Sequence, residues 1–67
     1  MIRYIEAARL EAGLSQRELS RRLGMHEMTM MRFANGERML DIIEFVDVAR
    51  QLGKEPGEFL TAILKAK

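Results

Sequence analysis

Seven arginines stand among residues 1–38 against five acids, and no lysine stands with them. A guanidinium is planar and always charged, and it donates in pairs to a phosphate or to the acceptor edge of guanine. The alternative is a set of solvated helix faces that happen to favour Arg. Arg17, Arg21, Arg22 and Arg32 fall in one stretch, SQRELSRRLGMHEMTMMRFANG, residues 15–36. Arg32 can bond two acceptors on guanine or clamp a phosphate, and Glu27 can accept from the amino group of cytosine. Close phosphates would repel Glu27. Arg21 and Arg22 fit either a phosphate-facing stripe or plain surface.

Other chemistries lack their parts. There is no cysteine, which excludes disulfides and thiolate metal sites and fits a reducing, cytoplasmic compartment. The single histidine, His26, has no second ligand in sequence, so no metal site or other cofactor is expected. Ser15 and Ser20 have no general base at a useful spacing, and no glycine-rich phosphate loop occurs, so no enzyme is expected. No apolar run is long enough for a membrane span, and no leader for export is expected. The net charge is only +1, so the clustering of arginines says more than the total. At 67 residues one domain, 1–67, with a small core is expected.

The elements that must position these groups are helices. Val, Ile and Thr never alternate with polar residues over a strand length. Apolar spacing predicts helix one over about Ile2 to Ala12, with Ile5, Ala8 and Ala12 inward. Ser15, with Glu18 three residues on, predicts a capping box opening helix two, Gln16 to Leu23. Helix three is expected from about Glu27 to Ala34 and stops at Asn35-Gly36. Asp41 is the expected N-cap of helix four, which reaches Leu52, with Ile42, Phe45, Val48, Ala49 and Leu52 on one face. Pro56 suits the first turn of helix five, which runs to about Leu64. Phe59, Leu60, Ile63 and Leu64 form its apolar side. Glu44 and Asp47 read as solvent charges.

The second and third helices form a helix-turn-helix. Two helices cross at about 90–120° only when their backbones come close. Ser20 is small enough to permit that approach, and Gly24 supplies a backbone of positive φ in the turn. Met25 follows as a plug, and Met30 and Phe33 anchor the second helix inward. On a helical wheel that sets Met30 inward, His26 also points in. Met28, Met31, Arg32 and Asn35 point out, and Glu27 lies on the border.

The order S-Q-x-x-L-small-x-x-L-G, followed by a short helix ending N-G, resembles the phage repressor and Cro type of helix-turn-helix, the XRE family. The stretch GERMLDIIEFVDVARQLGKEP is similar to that family's fourth helix and the turn after it. The resemblance covers about residues 3–64. It implies an all-α, compact five-helix bundle of the lambda repressor-like kind, with the motif at about 16–35. It implies a transcription regulator, here read as a repressor, that binds a double-stranded DNA operator as a homodimer. It assigns Gln16 and Asn35 to phosphate contacts, with Arg17 near the same strand. It places Glu27, Met28, Met31 and Arg32 before the bases, and His26 at the N-cap of helix three.

Two features depart from the pattern. Met28 and Met31 cannot donate hydrogen bonds and offer a thymine methyl only apolar contact. The rival reading is therefore a protein-interaction module, engineered or antitoxin-like, using a Met-rich face on the same scaffold. Ala34 stands where the family usually has a Glu paired with Arg9, so Arg9 needs another acid, and Glu6 and Glu37 are the candidates. Met39, Ile43, Val46, Ile63 and Leu64 either extend the core or leave an apolar strip on the surface, and such a strip is the expected dimer contact.

Overall fold

A computed structural model describes residues 1–66. Five helices follow one another: α1 (Ile2–Glu11), α2 (Gln16–Arg22), α3 (Thr29–Ala34), α4 (Ile42–Gln51) and α5 (Pro56–Lys65). No strand occurs among the described residues. α2 packs chiefly on α3, α4 on α5, α1 on α3, and α2 also on α4. The core draws on every helix. Ile5 and Ala8 come from α1, Leu19 from α2, Met30 and Phe33 from α3, Phe45 and Val48 from α4, and Ile63 from α5, with Leu52 just beyond α4. Leu14, Leu23, Leu40, Phe59 and Leu60 seal its edges. The rings of Phe45 and Phe59 stack with centroids 5.9 Å apart, joining α4 to α5.

The caps explain where the helices begin. The Ser15 hydroxyl accepts from the Glu18 backbone N–H at 3.0 Å. The expected reciprocal bond does not form, because the Glu18 carboxylate turns to Arg22 one turn on. A full capping box opens α4 instead: Asp41 accepts from the Glu44 N–H at 2.8 Å and Glu44 accepts from the Asp41 N–H at 3.0 Å. Arg38 also binds Glu44, at 2.6 Å, which fastens the α3–α4 loop to α4. Glu44 is thus a half-buried structural anion rather than a solvent charge. The Arg38 hydrogen bond, aided by the Asp41 backbone bond, holds its carboxyl below the ordinary 4.5 despite partial desolvation.

Several apolar positions fall elsewhere than periodicity places them. Ala12 is exposed, because α1 stops at Glu11 and the chain turns away. Ile42, at the first position of α4, is 65% exposed. On α5, Ile63 is core and Leu64 is exposed, so the apolar side is narrower than four residues suggest. Ile63 therefore cannot belong to a dimer surface.

Candidate nucleic-acid interface

Ser20 holds the two motif helices together. Its side chain is wholly buried where α2 meets α3. Its hydroxyl donates to the Gln16 carbonyl at 3.0 Å and accepts from the Met30 N–H at 3.0 Å. Met30 lies in the first turn of α3, where backbone N–H groups have no partner within the helix. Ser20 therefore does more than make room: a side chain of α2 satisfies a donor at the start of α3. The sequence reading missed this bond. A hydroxyl rather than Ala or Gly at the crossing is the signal that pointed to it.

Gly24 has φ +69°, and a Cβ built there would meet nothing within 4 Å. The turn thus needs a left-handed backbone and not an absence of bulk. Beyond it, His26, Glu27 and Met28 form a further turn. The His26 Nδ1 accepts from the Met28 N–H at 3.1 Å, and the Thr29 N–H bonds the His26 carbonyl at 3.0 Å. α3 therefore starts at Thr29, two residues later than expected, and its N-cap is Met28 rather than His26. The wheel does not extend to His26, which is exposed instead of inward. The side-chain bond it makes favours a turn over another helical residue.

From Thr29 onward the wheel holds. Met30 and Phe33 are inward at 0% and 3% exposure, while Arg32 and Asn35 are exposed. Met28 and Met31 are half-buried. The Asn35 amide donates to the Met31 sulfur at 3.0 Å. On α2, Arg17 and Arg21 are exposed one turn apart. The Glu27 carboxylate approaches both, at 3.6 Å from Arg17 and 3.9 Å from Arg21. Arg32 makes no ion pair among the described residues.

Gln16 is half-buried and engaged. Its amide donates to Glu6 at 2.7 Å. Arg9 binds the same carboxylate through two hydrogen bonds, at 2.8 and 3.3 Å, and gives a third to the Leu14 carbonyl at 2.7 Å. Arg9 thus has its acid one turn back on its own helix, which is why Ala34 leaves no buried charge unpaired. Burial pushes the Glu6 carboxyl up. The hydrogen bonds from Arg9 and Gln16, with the Arg9 charge, outweigh that and hold it below 4.5.

No helix among the described residues is long and apolar enough to cross a membrane. No described group of three or more His, Cys, Asp or Glu is placed to hold a metal ion.

Comparison with known proteins agrees with this architecture. A family model described as helix-turn-helix matches residues 5–59. The structure is similar to that of an XRE-family like protein from Pseudomonas syringae pv. tomato str. DC3000, with a TM-score of 0.89 and 35% sequence identity. The match covers 98% of this chain and 80% of that one. No curated protein matches. A helix-turn-helix locked by Ser20, an all-helical core and these likenesses converge: the chain belongs to the XRE family of helix-turn-helix proteins, a family of DNA-binding transcription regulators.

Proposed function

We propose that this chain is a sequence-specific regulator, acting as a repressor, that places α3 in the major groove of double-stranded DNA. The supporting observation is the division of α3: Met30 and Phe33 are buried while Arg32 and Asn35 are exposed, and Arg17 and Arg21 on α2 are exposed as well. In this reading Gln16, Arg17 and Asn35 hold phosphates, Arg32 reads guanine, and Glu27 accepts from cytosine. His26 lies beside the backbone, and Met28 and Met31 contact thymine methyls. Gln16 is positioned by Glu6, which takes one amide hydrogen and leaves the other for a phosphate oxygen.

The regulator acts as a two-fold dimer in this proposal. Ile42 and Ile43 are 65% and 72% exposed, and Met39 is 87% exposed. Ile42, Ile43, Val46, Asp47 and Arg50 line one shallow depression. Opposite charges lining one depression suit a self-complementary contact, in which each Asp47 meets the partner's Arg50. Leu64 is exposed and belongs to the proposed contact; Ile42 joins it in place of the buried Ile63. Dimerisation would set the two copies of α3 about 34 Å apart, to meet successive major grooves.

Selection from random duplex DNA with purified protein, at two salt concentrations, tests the reading. A defined sequence should emerge, and its affinity should fall steeply with salt as counterions are released. Arg32→Ala should relax base preference at one position, and Gln16→Ala should weaken all sequences alike. Equal losses for Arg32→Ala on selected and random DNA would refute the reading role of Arg32. One observation favours a second reading. Met31 lies on α3 next to Arg32, Met28 is that helix's N-cap, both are half-buried, and adaptable thioethers suit a protein partner. Binding that tolerates salt but fails on Met28→Ser and Met31→Ser would establish that alternative.

A further inference from the structure

We propose that Glu27 is an internal competitor of the DNA backbone, and that it sharpens the choice of duplex by occupying Arg17 and Arg21 in the free protein. The inference rests on the DNA-binding reading above. The Glu27 carboxylate stands 3.6 Å from the Arg17 guanidinium and 3.9 Å from that of Arg21. All three side chains are about half exposed, at 45%, 60% and 61%. Neither contact is a hydrogen bond by geometry, so the trio is held by charge alone and opens easily. Its members come from two parts of the motif: Arg17 and Arg21 lie one turn apart on α2, and Glu27 lies in the segment leading into α3.

The other described ion pairs do not bear on this face in the same way. Glu6–Arg9 and Glu18–Arg22 lie within one helix, Glu44–Arg38 fastens a loop, and Glu11–Lys54 ties α1 to the segment before α5. Only Glu27, among the described pairs, draws on two cations of α2 from the start of the neighbouring helix.

A duplex that takes Arg17 and Arg21 onto its phosphates must strip them from Glu27. It also leaves that carboxylate beside a polyanion. Random DNA returns nothing for this loss. A duplex that presents the amino group of cytosine to Glu27 gives it a new donor. The carboxylate thus penalises wrong partners more than right ones, which widens the gap between operator and bulk DNA.

The test compares the wild type with Glu27→Gln, which keeps the shape and removes the charge. Glu58→Gln on α5, outside the motif, controls for net charge. Fluorescence anisotropy would follow a labelled random duplex and the duplex recovered by selection, at low salt. Glu27→Gln should bind the random duplex about fivefold tighter and gain less on the selected one, so the specificity ratio narrows. The gain should shrink when Arg17→Ala and Arg21→Ala are also present, leaving only the part owed to repulsion between the carboxylate and the phosphates. An equal gain for Glu58→Gln, a gain undiminished by loss of both arginines, or an unchanged ratio would overturn the inference while leaving the DNA reading in place. A wild type that binds no duplex at all would overturn both.

Discussion

Replacing Ser20 with alanine isolates the bond on which the motif's geometry depends. The change removes one oxygen from a site with no solvent exposure. Its two hydrogen bonds are not equivalent. The one donated to the Gln16 carbonyl is a back-bond inside α2, whose loss is nearly neutral because the helix already uses that carbonyl. The one accepted from the Met30 N–H satisfies a buried donor at the start of α3. Alanine leaves that donor unpaired, which costs about 1–3 kcal/mol. A chain of this size has roughly 3–10 kcal/mol to lose. The melting midpoint of so small a domain moves by about 4–8 °C per kcal/mol, so a fall of about 5–20 °C is expected. Urea denaturation followed by circular dichroism would measure the same loss as a shift in midpoint with unchanged slope. A loss below about 0.5 kcal/mol would refute the reasoning, since it would mean that α3 finds its place without Ser20.

Three further perturbations follow from the same geometry. Because the Glu6 and Glu44 carboxyls both lie below 4.5 when folded, the unfolded chain binds more protons as the pH falls past that value. Stability should be flat well above pH 4.5 and decline as the pH falls through the lower folded values; Glu6→Gln should lower it by about 1–2 kcal/mol near neutrality and make the acid decline shallower, and an unchanged acid slope in thermal melts would contradict the Glu6 network. Gly24→Ala should cost about 1–2 kcal/mol through its φ of +69° alone, with no clash to relieve, and an undiminished urea midpoint would show that the turn relaxes freely. Ile43→Asp should convert a dimer to monomer in sedimentation at micromolar concentration; a wild type that is itself monomeric there would remove the proposed two-fold contact.

Local chemistry was enough to make the framework legible. Apolar residues at helical spacing, Ser15 and Asp41 as caps, Gly24 at a turn and Pro56 at a helix start act within a few residues, so their consequences can be read along the chain. The helix-turn-helix and its inward anchors, Met30 and Phe33, followed from that information. Ser20 and Met30 are ten residues apart, and no local rule couples a hydroxyl to that N–H; only the crossing of α2 on α3 does so. The same holds for the acid shared by Arg9 and Gln16, for Glu27 between two arginines, and for Ile63 lying inside while Leu64 lies outside. Spacing along the chain decides which residues share a helix face. Which neighbour meets that face, and which charge finds which partner, is decided by the three-dimensional approach of elements distant in sequence.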